Sequence, residues 1–254
     1  MNKYILALLL FSQLLFAQGD KHSIFTKILN DYVVNGFVKY KDMNDDKRLD
    51  EYLNYLKQIN PDNITDNNDK LAFWMNVYNA FTLKLIVDNY PVESINDLHT
   101  GGLIIGQILG KTVWHKEWIN INGKTLSLNN IEHDIIRKEF IEPRIHFALV
   151  CAALSCPPLR NEAYEGYKLE QQLENQATVF INNSTNNIFE LKNKTAKLSK
   201  IFDWYESDFG DNDEAVLKYV LKYLPKETAK DINDYITQWD IEYLTYNWDL
   251  NESK

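Results

Sequence analysis

Cysteine and histidine are the residue types in this chain best suited to covalent chemistry, and they cluster. The stretch RIHFALVCAALSCPPLR, residues 144–160, carries His146 and both of the chain's cysteines, Cys151 and Cys156. A thiolate can add to a carbonyl carbon while a nearby imidazole takes the thiol proton and later returns it to the leaving group. Read this way, Cys156 is the nucleophile and His133, in IEHDIIR, is the base and then the acid. Glu132 is the candidate acid that orients the imidazole; because adjacent helical residues do not face each other, the alternatives are a contact to a substrate amine or a cap on a neighbour. Backbone N–H groups of the Ser155–Leu159 turn would stabilise an oxyanion. The reaction would be hydrolysis or acyl transfer at a peptide, amide or thioester bond. Cys151 is either an alternative nucleophile or the disulfide partner of Cys156. A free cysteine in an apolar run is as readily a core residue, and an oxidising compartment favours pairing. That outcome gives a different protein, a binding module with structural or disulfide-linked cysteines.

Three further residues are candidates for holding a substrate. Asn79 lies three positions after Asn76 on one face of a very apolar helix, where each buried amide must be hydrogen-bonded. Arg144 could meet a substrate carboxylate, or pair with one of the chain's many acids. His146 is the third. Metal is disfavoured: two cysteines with four residues between them, with no second pair and no HEXXH, are not a zinc pattern. No cofactor signature is present. A peptide or small molecule is therefore the expected partner. Nucleic acid is not, because the formal charge is −9 and no basic tract exists to grip phosphates.

The elements that must position these residues can be read from apolar spacing. Residues 22–34 and 48–59 have helical periodicity, and Asn60-Pro61 stops the second. LAFWMNVYNAFTLKLIVDNY reads as a long helix buried on most sides, ended at Tyr90-Pro91. Residues 94–111, with Gly101-Gly102, read as a loop. WINI-NG-KTLSL is a hairpin signal, after which Ser127 can cap a helix LNNIEHDIIRKEF. RIHFALVC reads as a buried central strand. On a regular strand His146 and Cys151 would point to opposite faces, and Cys156, past its end, would be freer to face a cleft. A helix over about 168–182, strands at IFEL and KLSKIF, helices at 213–224 and 228–239, and a final strand IEYLTYNWDL complete the reading. The fold class is α+β: one domain over residues 18–254, with a mostly antiparallel central sheet flanked by helices.

The chain opens MNKYILALLLFSQLLFAQGD, a basic residue, an apolar run and a small residue at position 17. This is the pattern of a secretory signal peptide over residues 1–17, so the mature protein is expected outside the cytoplasm, periplasmic or extracellular. Its removal takes Lys3 and no acid, leaving the mature chain slightly more acidic. No later stretch reads as a membrane span, because Asn76, Asn79, Lys84 and Asp88 interrupt the best candidate. Oligomeric state carries no sequence signal.

Taken together, AFWMNVYNAFTLKLI, INGKTLSLNNIEHDIIR, RIHFALVCAALSCPPLR and the later FDWYESDFG resemble the DUF547 family, over about residues 68–225. The resemblance implies an α+β domain related to papain-like or transglutaminase-like cysteine enzymes, exported in bacteria. It also implies that His133, His146, Cys151 and Cys156 form one set, with Cys156 and His133 as the site candidates. In papain-like enzymes the cysteine precedes its histidine. Here the order is reversed, so the same geometry would need a permuted chain.

Overall fold

The computed structural model describes residues 22–99 and 112–253. The signal-peptide reading and most of the 94–111 loop lie outside the described residues.

Everything in the N-terminal half packs around one helix. Helix α1 (Ser23–Tyr32) turns Phe25, Ile28 and Leu29 inward, a helical stripe, and runs into a short hairpin of β1 (Val33–Val34) and β2 (Phe37–Val38). After α2 (Tyr40–Met43), helix α3 (Arg48–Gln58) buries Leu49, Tyr52, Leu53 and Leu56. Helix α1 packs on α3, and α3 in turn on α4 (Asn67–Asn89), whose side chains are buried without a break from Leu71 to Leu83. No amphipathic pattern is needed where every side is covered. Asp66 caps α4 by accepting from the Asp69 N–H, and the chain leaves it at Tyr90, before Pro91.

The hairpin forms as expected: β3 (Ile119–Ile121) pairs antiparallel with β4 (Lys124–Leu126), with Asn122 and Gly123 at φ of 49° and 78°. Ser127 then caps the following turn through its Oγ, which accepts from Asn130 N–H. That turn is a π-helix, Asn130–Ile136, running into α5 (Arg137–Glu139).

Helix α6 (Leu169–Ile181) leads to β5 (Ile188–Glu190) and β6 (Thr195–Leu198), which pair antiparallel. Four helices follow: α7 (Lys200–Trp204), α8 (Glu206–Phe209), α9 (Asp213–Val220) and α10 (Lys226–Asp234). The KIF of KLSKIF therefore opens α7 rather than extending a strand. Strand β7 (Asp240–Tyr243) adds parallel to β6. No described helix is long and apolar enough to cross a membrane.

The fold is α+β, but its strands form three small peripheral sheets, and among the described residues there is no central sheet. RIHFALVC is not a strand. Pro143–Phe147 is a 3-10 helix, started by the Glu142 side chain accepting from Arg144 N–H. Its apolar character has another cause: the segment is wedged between two cores. Ile145 and Ala148 belong to the core around α4. Phe147 stacks on Phe180 and Phe209, 5.1 and 5.5 Å between centroids, in a second core of α6–α9 and the three-stranded sheet. In place of a neighbouring strand, Asn79 of α4 pairs with the segment: its amide donates to Ala148 C=O and accepts from Val150 N–H, both at 3.0 Å.

After β7 the chain returns across the molecule. Ser155 N–H donates to Asn247, Leu154 N–H to Asp249, and Asn251 N–H to Ala152. The C-terminal segment thereby holds the loop between the two cysteines.

Candidate active site

A cleft of about 250 Å³ opens where the two cores meet, and His133, His146, Glu132, Cys151 and Cys156 all line it. The strand-alternation argument that separated His146 from Cys151 fails, because the backbone between them is a 3-10 helix and a turn. Glu132 and His133, adjacent in sequence, both reach the cleft from a π-helix, whose wider turn is a frequent device at functional sites.

The thiols divide their roles. Cys156 is buried, 6% exposed, and its sulfur accepts from the Cys151 N–H at 2.7 Å. Burial and the neighbouring Cys151 push its thiol well above the ordinary value. Cys151 is partly exposed. Burial alone would raise its thiol too, but the neighbouring Cys156, Tyr246 and the Ala153 backbone bring it below the ordinary value. Tyr246 Oη lies 3.0 Å from Cys151 Sγ. Both cysteines are free thiols. Ala152, between them and φ 59°, is in the left-handed region that a non-glycine residue adopts only when its surroundings force it. Here Asn251 N–H holds its carbonyl.

The expectation that Cys156 is the freer sulfur is thus reversed. Of the N–H groups expected to stabilise an oxyanion, those of Ser155 and Cys156 are committed to the Asn247 and Ala153 carbonyls, and residues 157 and 158 are prolines, which leaves Leu159.

A second set of side chains stands behind the cleft wall and reaches it through His146, Tyr205 and His133. His146 Nε2 lies 2.7 Å from Asp208 Oδ2, and Asp208 also takes a fork from Arg137, Nε and Nη2 each at 2.7 Å. His146 and then Arg137 hold the Asp208 carboxyl well below the usual carboxylate range. Burial favours neutral His146 over the Asp208 bond that would charge it. The consistent arrangement is neutral His146 donating from Nε2–H to ionised Asp208, which leaves Nδ1 unprotonated. Arg137 Nη1 donates to His133 Nδ1 at 3.0 Å. Tyr205 stacks on His146 and donates its hydroxyl to Glu132 Oε1 at 2.6 Å. Glu132 therefore orients no imidazole; it pairs with a tyrosine.

Two expected substrate contacts are placed elsewhere. Asn79 is 1% exposed and spends its amide on the 148–150 backbone, so it positions the cysteine segment. Arg144 forks onto Glu142 and Glu170, away from the cleft. The sequence reading missed Asp208 and Tyr205, although FDWYESDFG contains both, and it missed Tyr246 and Trp248. Among the described residues, no group of three or more His, Cys, Asp or Glu is placed to hold a metal ion.

Fold and cleft together define an α+β protein with a thiol at the seam between two cores. Residues 61–181 match the family described as Protein of unknown function, DUF547. No curated protein and no solved structure matches the chain. Trp204, Tyr205, Tyr246 and Trp248 all lie beyond the matched segment, so the cleft is completed by residues outside it.

Proposed function

We propose that the protein is a cysteine-dependent hydrolase or acyl-transfer enzyme acting on a peptide, amide or thioester bond, with Cys151 as the nucleophile. The observation that carries this reading is the environment of one sulfur. Cys151 Sγ is hydrogen-bonded with the Tyr246 hydroxyl while lining an open cleft. A core cysteine needs neither the hydroxyl partner nor the opening.

In the proposed reaction the Cys151 thiolate adds to the acyl carbon. The new C–S bond forms as the bond to the amine or thiol leaving group breaks. His146, kept in one tautomer by Asp208 as in other nucleophile–imidazole–carboxylate sites, carries the proton to the leaving group. Water or a second acceptor then takes the acyl group. His133, on the same cleft wall, is left as a substrate contact. The chain is expected to act in an exported setting, as its N-terminal pattern suggests.

The test is thiol labelling followed by turnover. Iodoacetamide should modify Cys151 first, with a rate that rises at lower pH than for an ordinary thiol of about 8.5. Cys151→Ala should abolish acyl-enzyme formation on activated esters and thioesters, while Cys156→Ala keeps it. Labelling at Cys156 first, or full turnover by Cys151→Ala, would sink the assignment.

A further inference from the structure

Among the described residues lining the cleft, Glu132 alone carries a carboxylate. It is 8% exposed, a depth at which an unpaired charge is costly. Yet no Lys or Arg among the described residues forms a salt bridge with it. Arg137 acts on it only through space, because its Nε and Nη2 are committed to Asp208 and its Nη1 to His133. A phenol holds Glu132 instead: Tyr205 donates to it at 2.6 Å.

Five tyrosine and tryptophan rings besides Tyr205 line the rest of the wall, among histidines, Asn129 and a few aliphatic side chains. Trp204, Tyr246 and Trp248 form a mutual cluster with centroids 4.8, 4.6 and 5.8 Å apart, and Trp114 adds a fourth ring. Trp204 is 47% exposed, so the cluster reaches the mouth. An aromatic enclosure with one buried carboxylate and no pairing cation is the chemistry that recognises an ammonium group, by ring quadrupole and by charge. An anion would meet Glu132 and the Cys151 sulfur. A wholly apolar ligand would desolvate Glu132 without compensation. The net charge of −9 favours the approach of cations at longer range.

We infer that the cleft binds a primary ammonium group at Glu132, and that its substrates are acyl compounds bearing such a group close to the scissile carbonyl. The inference rests on the proposed thiol chemistry for the word substrate, and stands on its own for binding. The ammonium could belong to a peptide N-terminus or to an alkyl amine, which share this chemistry.

Binding is read by tryptophan fluorescence, because Trp114, Trp204 and Trp248 line the cleft. A Cys151→Ser variant removes any reaction. The probes are alanine amide, its N-acetylated form, n-butylamine and n-butanol. At pH 7 one or both cationic probes should bind and compete with each other, and the neutral analogues should bind at least about tenfold more weakly. Whichever cation binds more tightly identifies the source of the ammonium. Glu132→Gln, which keeps the acceptor for Tyr205, should lose about tenfold in affinity for the cation alone. Equal binding of charged and neutral probes to unmutated Glu132 overturns the inference whether or not the Gln variant folds. Failure of the thiol reading would appear separately, as slow labelling of Cys151 in a protein that still binds the amine.

Discussion

The ring of Tyr205 lies against that of His146, centroids 3.9 Å apart and planes 23° from parallel. Through this contact one tyrosine links the cleft's two polar systems. Its face fixes the imidazole that Asp208 holds, and its hydroxyl holds Glu132. The Arg137 guanidinium carbon sits 5.1 Å from the same ring's centre. Tyr205→Phe should therefore keep the stack and lose the bond, costing about 1 kcal/mol in urea denaturation. Tyr205→Ala should cost about 3 kcal/mol, because it also empties the space between His146 and Glu132. Similar losses for the two variants would show that packing contributes nothing.

Acid should weaken the seam between the cores. His146 and Arg137 hold Asp208 below its ordinary value of 3.8, so its contribution is complete above that pH and is lost as the pH falls through the lower folded value. Burial holds His146 below 6.5, so its neutral form is the one the fold favours, and protonation below pH 6.5 opposes folding in the same direction. Denaturation midpoints taken from about pH 8 to pH 3 should fall, and the fall should be shallower in Asp208→Asn. A flat profile, or an unchanged slope in the variant, would contradict this coupling.

Asn79 should matter for stability before it matters for catalysis. Its amide satisfies a buried carbonyl and a buried N–H on the segment that ends in Cys151. Asn79→Ala leaves both without partners, at a cost of about 2–4 kcal/mol. It should also make Cys151 label without its pH preference, since the segment is no longer fixed. Calorimetric unfolding and iodoacetamide rates measure the two effects. A stable variant with unchanged labelling would return Asn79 to the list of substrate contacts.

The two thiols should respond to oxidation as a pair. Cys151 is the more acidic, and its backbone N–H donates to the Cys156 sulfur, so the two thiols are neighbours. Treatment with diamide, which accepts the two electrons and two protons, should convert both to one intramolecular disulfide. Intact-mass measurement should show the loss of two hydrogens, and both residues should resist alkylation until reduced. Labelling of either thiol after diamide would exclude the pairing.

What was legible in the sequence was what local rules dictate. The α4 helix announced itself by an unbroken apolar run ended at Tyr90-Pro91, and the hairpin by Asn122-Gly123. Segment 143–150 was misread for a physical reason: an apolar run records burial, and burial between two helical cores looks the same in one dimension as burial in a sheet. The partner that replaced the neighbouring strand was a single side chain, Asn79, 71 positions before Val150. The site was half legible. Histidines and cysteines could be found by type and clustering, but which thiol is acidic depended on Tyr246, 95 positions from Cys151. Glu132 was picked for its place beside His133, whereas a π-helix turned it toward Tyr205 instead.

The return of the 246–251 segment across the loop between the cysteines bears on the order in which the site can assemble. Tyr246 meets the Cys151 sulfur and Asn251 holds the Ala152 carbonyl. Until that segment docks, Cys151 lacks its hydroxyl partner and Ala152 has nothing to hold its left-handed backbone. A chain with the segment undocked therefore carries an ordinary thiol, and reactivity arrives only with docking.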